Sequence, residues 1–182
     1  DGSGMRSEFA GQRYDAPVRV VGMARDETVR RVYEDQMVAR LAARGVRATQ
    51  SYASLPSLTS DGHERLAEAA RKAGARYLLS TAVIGQDREV VVTQEPMWWG
   101  GAYGYRSWYG YYWGMAYPVR TDARAYTVYL SQSSLTDLKA DRIEWVARTR
   151  TTESSYIEEN VRDFVNVIVE SMAKAGLVAA GD

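Results

Sequence analysis

The sequence predicts an α/β protein with a single mixed five-stranded sheet and three helices. Strand-like apolar runs alternate with helical stripes in the first half of the chain. Two further strand-like runs, separated by a tight turn, then precede a last helical stripe. Because crossover connections are right-handed, the first strand should lie between the second and the third. The predicted strand order is therefore 2-1-3-4-5, parallel on one side and antiparallel on the other.

The first strand and the first helix are marked by different apolar spacings. Residues 18–24 form an apolar, β-branched run of the kind found in buried strands. Asp26 follows, and its carboxylate can cap a helix by accepting backbone N–H bonds. Gly45 can take the left-handed conformation that ends a helix. Between the two, helical spacing predicts a buried face made of Val29, Val32, Tyr33, Met37 and Leu41.

A second strand and a second helix come next. Residues 46–55 alternate loosely and are closed by Pro56, which indicates a strand. Asp61 and Glu64 have the spacing of a capping box, and Gly74 provides a stop. The inner face of this helix is predicted to consist of Leu66, Ala69, Ala70 and Ala73.

The second half of the chain predicts antiparallel strands. Residues 76–95 are strand-like, with a bulge or turn at residues 85–87. Residues 121–137 form the next strand, and a turn at residues 138–141 leads into the last, residues 142–152. In the last strand Ile143, Trp145 and Ala147 are predicted to face the core. The alternate residues should face water: Arg142, Glu144, Val146 and Arg148.

The last helix completes the domain. Ser155 and Glu158 have capping-box spacing, and Gly176 ends the helical pattern. The buried stripe is predicted to be Ile157, Val161, Phe164, Val165, Ile168 and Met172. We predict one α/β domain over residues 17–182, with residues 1–16 as an unfolded N-terminal tether and an aromatic, glycine-rich loop at residues 96–120.

Composition excludes several classes of function. The 182 residues suffice for one domain with one core. Twenty-three basic residues balance twenty-three acidic ones, so no field of one sign indicates a nucleic-acid partner. The absence of Cys excludes disulfides, thiolate metal sites and thiol catalysis. No apolar run is long enough to predict a membrane-spanning helix. Because the chain begins at Asp1 rather than Met, we expect that an upstream segment has been removed.

Catalytic and cofactor motifs are not found. His63 is the only histidine, and neither its neighbours nor the scattered carboxylates have a recognised metal-ligand spacing. The first strand is not followed by a glycine-rich phosphate loop. We therefore predict a protein that is not an enzyme, with no catalytic residue, no cofactor and no metal.

Charged residues near the first helix offer one candidate ligand site. Arg25, Asp26 and Glu27 lie at the carboxyl end of the first strand, where open α/β sheets bind ligands. A cap and a first-turn acid explain the same residues without a ligand. Further along, Arg30, Arg31 and Glu34 are predicted to form salt-linked helix surface, through the pairs Glu27–Arg31 and Arg30–Glu34.

Residues 96–118 concentrate the aromatic side chains of the protein. They hold four of its five Trp and six of its thirteen Tyr, with five glycines and Arg106 as the only charge. A loop this long between strands is uncommon unless it has a function. The ten rings are too many for a core already filled by the other elements. We predict a contact surface made of Trp98, Trp99, Tyr103, Tyr105, Trp108, Tyr109, Tyr111, Tyr112, Trp113 and Tyr117.

Three interpretations of this loop remain open at the level of the sequence. The rings can pack on one another and cover a sheet edge. They can form a protein–protein surface, where rigid Tyr and Trp side chains act as hot spots. They can also contact a bilayer interface or a glycan, since both favour flat aromatic groups with a polar tip.

The stretch of residues 20–56 combines a strand, a first helix and a turn with Arg30, Arg31, Glu34, Gly45, Ser51, Tyr52 and Pro56, and it is followed by the runs at residues 74–83 and 142–151. In this pattern it resembles a family of uncharacterised lipoproteins of Gram-negative bacterial envelopes. The resemblance implies a domain tethered at the periplasmic face through a lipidated Cys upstream of Asp1. The family is similar in architecture to the curli-secretion channel subunit and to the lipoprotein activators of penicillin-binding proteins, which are not enzymes.

Together these observations predict a periplasmic lipoprotein domain that acts as a protein-interaction or assembly module through its aromatic loop. The expected partner is an envelope protein or a second copy of the chain, with membrane-interface contact through the lipid anchor and the loop. The alternatives are a cell-wall glycan-binding module and a small-ligand binder or enzyme at the carboxyl end of the first strand.

Overall fold

The computed structural model describes residues 3–5, 16–24, 26–59, 62–87, 128–152 and 157–181. These ranges contain three α-helices: α1 (Glu27–Ala43), α2 (His63–Lys72) and α3 (Ile157–Lys174). They also contain the strands β1 (Ser3–Met5), β2 (Val18–Met23), β3 (Ala48–Gln50), β4 (Tyr77–Asp87), β5 (Val128–Asp137) and β6 (Arg142–Thr152). All six form one sheet in the order β1-β6-β5-β4-β2-β3. The predicted fold class and the predicted order of the five main strands, β2 to β6, are confirmed.

The strand β2 lies between two parallel neighbours. Val18 is in register with Ala48 of β3 and with Tyr77 of β4. All six residues of β2 are buried, because helices cover both faces of the sheet at this position. One apolar cluster joins the sheet to α1 and α3, and the other joins it to α2.

Helix α1 begins and ends where the sequence predicted. Asp26 is its N-cap, and its Oδ1 accepts a hydrogen bond of 3.1 Å from the backbone N–H of Val29. Gly45 has a φ of 78°, which allows the chain to leave the helix. The buried face differs from the prediction, since Arg30 and Glu34 are buried and Val32 is only half-buried.

Helix α2 is shorter than predicted, because it ends at Lys72 and the predicted apolar face ran to Ala73. Its N-cap is Gly62, with no capping side chain, so the capping box predicted at Asp61 is wrong. A turn closed by the Gly62 N–H and the Thr59 carbonyl places the glycine there instead. The buried side chains are Leu66, Ala67 and Ala70. The helix stops before Gly74, whose φ is 79°.

The antiparallel part of the sheet contains two irregularities. The pairing of β4 with β5 shifts between Val83 and Gly85, close to the predicted bulge. The pairing of β5 with β6 shifts at Glu144, because Leu135 lies opposite Trp145 and Thr136 opposite Ile143. The extra residue puts Ile143 and Val146 in one apolar cluster and Trp145 in the other.

The prediction that one face of β6 is largely exposed to water is wrong. Glu144 and Val146, predicted to face water, are 1% and 5% exposed. Helix α3 matches its prediction more closely. Its described buried side chains are Phe164, Val165, Ile168, Val169 and Met172.

The strand β1 corrects one expectation for the N-terminus. Residues 1–16 were predicted to be unfolded, but Ser3–Met5 pairs antiparallel with β6, with Met5 opposite Trp145. A short polar segment can gain backbone hydrogen bonds from a sheet edge without any apolar pattern, which explains why the sequence does not reveal it. The boundary between tether and domain otherwise stays a prediction.

Candidate functional site

Two of the three predicted ligand residues, Asp26 and Glu27, lie beside the carboxyl end of β2. Arg25 is outside the described residues. Asp26 is engaged as the cap of α1. Glu27 is exposed, with its carboxylate 3.4 Å from the Ser57 hydroxyl and 4.0 Å from the Arg31 guanidinium. Both described side chains are thus accounted for by the start of a helix, and a ligand site at this position stays a prediction.

His63 lies in the first turn of α2. Its Nε2 is 3.7 Å from the exposed carboxylate of Glu64. Within the described parts of the chain, no three His, Asp or Glu side chains are arranged to hold a metal ion. The same parts contain no helix long and apolar enough to cross a bilayer.

The ten predicted contact residues between Trp98 and Tyr117 lie outside the described residues. The ends of the segment that carries them are described, because Asp87 of β4 is in register with Val128 of β5. Val128 is in turn opposite Thr152, the last residue of β6. The segment leaves the sheet at the carboxyl end of β4 and re-enters it at the amino end of β5. Because β2 is parallel to β4, the carboxyl end of β2 points to the same end of the sheet.

The structure shows an unpredicted polar cluster beneath the N-terminal half of α1. Its centre is Glu34, which is 0% exposed. Oε2 of Glu34 accepts hydrogen bonds from the Gly22 N–H at 3.1 Å and from the Ser51 hydroxyl at 2.8 Å. Oε1 accepts from the Tyr52 N–H at 2.9 Å. One buried carboxylate therefore ties α1 to β2 and to the turn that follows β3.

Arg30 completes this cluster from the preceding turn of α1. Its side chain is 2% exposed, and its Nε donates to Glu34 Oε2 at 3.0 Å. Its two terminal nitrogens donate to three acceptors: the Pro56 carbonyl at 3.1 Å, the Ser51 hydroxyl at 2.9 Å and the Leu55 carbonyl at 2.8 Å. The planar guanidinium thus binds residues 51–56 at both ends.

The prediction that Arg30 and Glu34 form helix surface is wrong. The pair has the predicted i,i+4 spacing, but it is buried, whereas Glu27 and Arg31 form the exposed pair. A signal was present in the sequence, because residues 30, 34, 37 and 41 form one helical stripe that contains the core residues Met37 and Leu41. The glycine of β2 contributes as well. A Cβ at Gly22 would lie 2.8 Å from Cδ1 of Tyr33 and 3.6 Å from Cα of Arg30, so only glycine lets α1 approach this closely.

Five of the seven residues between positions 30 and 56 on which the lipoprotein resemblance rests meet in this cluster. Arg30, Glu34, Ser51, Tyr52 and Pro56 are linked by hydrogen bonds, although up to 26 positions separate them. The cluster joins α1 to β2 and holds residues 51–56 at several backbone and side-chain groups, and we call it the Arg30–Glu34 clamp.

Two further polar side chains, those of Tyr33 and Arg19, lie close to the clamp. The Tyr33 hydroxyl is 2.6 Å from the Thr81 hydroxyl, which is 2.6 Å from that of Ser133. Burial raises the pKa of Tyr33 above its ordinary value of 10.0, and the nearby charge of Glu34 acts in the same direction. Arg19 bonds the hydroxyls of Thr49 and Ser54. Burial lowers the pKa of Arg19, while Glu34 opposes the shift.

A network of polar side chains lies at the outer edge of the sheet next to the clamp. Tyr52 donates its hydroxyl to Asp35 Oδ1 at 2.6 Å, and Gln50 donates its side-chain amide to the same oxygen at 3.1 Å. The Arg31 guanidinium lies 5.3 Å from the centre of the Tyr52 ring. Ala48–Gln50, residues 51–54, Arg31 and Asp35 together form a surface that we call the β3 edge surface.

Comparison with known proteins identifies the fold. No family model and no curated protein matches the chain. The fold is similar to that of PelC from Paraburkholderia phytofirmans. A PelC dodecamer in space group P6 has a TM-score of 0.51 and 16% identity, covering 98% of this chain and 99% of that one. A dodecamer of a PelC variant in space group C2 gives a TM-score of 0.50 and 17% identity, covering 93% and 96% of the two chains.

A third structure is less similar. Lipoprotein GNA1162 from Neisseria meningitidis has a TM-score of 0.47 and 13% identity, covering 87% of this chain and 99% of that one. At these identities, the likeness to PelC establishes a shared fold over almost the whole chain and does not by itself assign a function.

Proposed function

We propose that this chain is a non-enzymatic assembly module of the bacterial envelope that associates with copies of itself. The observation that carries the proposal is the similarity of its fold, over 98% of the chain, to a protein crystallised as a dodecamer. The zero formal net charge supports the same view, since copies of the chain do not repel one another at long range.

In this proposal the aromatic segment is a contact surface. Its ten Trp and Tyr side chains, from Trp98 to Tyr117, are the residue types that contribute most to binding energy at interfaces. The segment is attached to one end of the sheet, at the paired residues Asp87 and Val128. Contacts made there leave the helix-covered faces of the domain unchanged.

The proposal includes a location at the periplasmic face of the envelope. It is supported by the resemblance to envelope lipoproteins, which implies a lipidated Cys upstream of the chain. An anchored domain with an interfacial aromatic loop would hold that loop near lipid headgroups, where Trp and Tyr are favoured. An envelope protein is then a second class of partner beside the chain itself.

The molar mass of the purified chain over a range of concentrations tests self-association. Light scattering after size-exclusion chromatography should give a mass several times that of one 20.4 kDa chain. The double variant Trp98→Ala with Trp108→Ala should shift the mass towards one chain, because two anchors of the proposed contact are removed. Its far-ultraviolet circular dichroism spectrum should be unchanged, because the fold of the single chain is kept.

The control is Val167→Ala, which truncates a 43% exposed apolar side chain on α3. This variant should keep the mass of the parent. A parent that is one chain at every concentration would contradict self-association. A tryptophan variant that keeps its mass but loses thermal stability would show instead that the rings are structural cover. Crosslinking and affinity purification of the lipidated protein from its own envelope would then identify any other partner.

A further inference from the structure

The strand β3 ends the sheet on the side opposite to β1. It is three residues long and pairs only with β2 among the described strands. The Val18 N–H donates to the Arg47 carbonyl at 2.8 Å, and Val18 is in register with Ala48. In a parallel ladder this pattern turns the N–H and C=O groups of Ala48 and Gln50 away from β2. The outer edge thus presents two backbone donors and the carbonyl of Ala48, because Gln50 is the N-cap of the 3-10 turn Ser51–Ala53 and its carbonyl accepts the first bond of that turn.

Natural edge strands are protected from pairing by being short, by a charge that points inwards, by a proline, or by a covering loop. The three residues of β3 are Ala48, Thr49 and Gln50, with no proline and no charge. Thr49 is exposed, and Ala48 and Gln50 are half-buried. The shortness of β3 is one such protection, but within the described residues the strand itself carries no proline or charge that would prevent another strand from pairing with it.

The Arg30–Glu34 clamp holds the neighbouring turn in one conformation. Two buried charges bind residues 51–56 through the Tyr52 N–H, the Ser51 hydroxyl and the carbonyls of Leu55 and Pro56. A segment that is already ordered loses little conformational entropy when a partner binds. A buried ion pair is weak support for stability alone, and its best-attested use is to specify one arrangement.

The charges around the edge select the kind of partner. Arg31 lies 4.0 Å from Glu27, Asp35 binds the Tyr52 hydroxyl, and Arg47 directly precedes β3; all four charged residues are exposed. A surface that carries both signs equally does not fit a strongly acidic or a strongly basic ligand. It fits another surface of mixed charge, such as that of a second copy of this neutral chain.

We propose that the β3 edge surface is a subunit contact, to which a second copy binds by its opposite sheet edge, at β1. This inference rests on the proposed self-association. Contact between two different edges is head-to-tail, so it can repeat from copy to copy and close into a ring, whereas pairing of β3 with β3 stops at a dimer. Main-chain hydrogen bonds to Ala48 and Gln50 supply the contact, with Tyr52 and Arg31 packed beside it.

Two variants test the contact on the full chain. Ala48→Pro removes an outward N–H while leaving the groups that bond to β2 in place, and proline is tolerated on edge strands. Ala53→Glu adds a charge at an exposed position of the edge surface. Each should raise the dissociation constant of the assembly by about tenfold or more. The matched control Ala140→Glu places the same charge on the exposed turn between β5 and β6 and should leave the assembly intact.

Hydrogen exchange separates this inference from the proposed function. In the assembled parent, the amides of Ala48 and Gln50 should exchange at least about tenfold more slowly than in the Ala53→Glu variant. An assembled parent in which these amides exchange at the variant's rate, or in which Ala53→Glu changes nothing, would overturn the contact and leave self-association standing. An assembly that stops at two chains would overturn its head-to-tail geometry. A parent that stays a single chain would instead contradict the proposed function itself.

Discussion

The substitution Glu34→Gln tests the energetic role of the Arg30–Glu34 clamp. It keeps the size of the side chain and removes its negative charge. Arg30, which is 2% exposed, would then carry its positive charge beside a neutral amide. One of the two carboxylate oxygens becomes an NH2 group, which is a hydrogen-bond donor. This NH2 group would face either the Tyr52 N–H, which now donates to Oε1, or the donors that now bind Oε2, such as the Gly22 N–H.

The expected magnitude follows from what is left unpaired. Breaking a buried ion pair by removing one partner costs about 3–5 kcal/mol, because the remaining charge stays buried. A buried backbone donor without an acceptor adds about 1–3 kcal/mol when the structure cannot relax around it. We therefore expect the free energy of unfolding to fall by about 3–5 kcal/mol, a large share of the roughly 5–15 kcal/mol typical of a domain.

Urea unfolding followed by far-ultraviolet circular dichroism measures this loss. The matched control is Glu27→Gln on the same helix, since Glu27 has the same i,i+4 relation to Arg31. That pair is 4.0 Å apart, and its side chains are 55% and 52% exposed. Its removal should change the free energy of unfolding by less than about 1 kcal/mol. A Glu34→Gln loss as small as that of the control would refute the reasoning.

Two other predictions concern the core beside the clamp. Tyr33→Phe should cost about 1 kcal/mol near neutral pH, because the bond to Thr81 is lost. Since burial raises the pKa of Tyr33, the unfolded chain ionises this phenol first as pH rises above 10.0, which lowers the stability of the parent and not that of Tyr33→Phe. The difference between the two should therefore shrink in urea titrations at alkaline pH, and a constant difference would contradict the assignment. Gly22→Ala should destabilise by about 1–3 kcal/mol, because its Cβ would lie 2.8 Å from Tyr33 Cδ1. In a double-mutant cycle with Tyr33→Leu the two losses should be less than additive, and full additivity would count against the close contact.

The elements with local signals were predictable from the sequence. Asp26 and the glycines at positions 45, 74 and 176 mark helix ends through their own backbone preferences, and all three glycines have φ values near 78°. The strand order followed from the handedness of crossovers, which does not depend on side-chain detail. The stripe of α3 was correct because its buried residues are all apolar.

The clamp could not be derived in the same way. Assigning every charged residue of α1 to the surface ignored the alignment of Arg30 and Glu34 with Met37 and Leu41. Their partners, Gly22 and residues 51–56, are distant in sequence, so only the folded chain shows that the buried charges are compensated. The bulge at Glu144 is similarly non-local, since it depends on the register of β6 against β5.

The register of Asp87 with Val128 brings the two ends of the intervening forty residues together. Since both ends of that stretch meet at paired residues, the chain-closure part of the folding free energy depends on its length only through the entropy of closing a loop. Shortening it from forty residues to a two-residue turn would recover about 2–3 kcal/mol by that relation. Related chains could therefore lengthen, shorten or replace residues 88–127 while keeping the same scaffold, and a β4–β5 hairpin made local in this way would be expected to form sooner during folding.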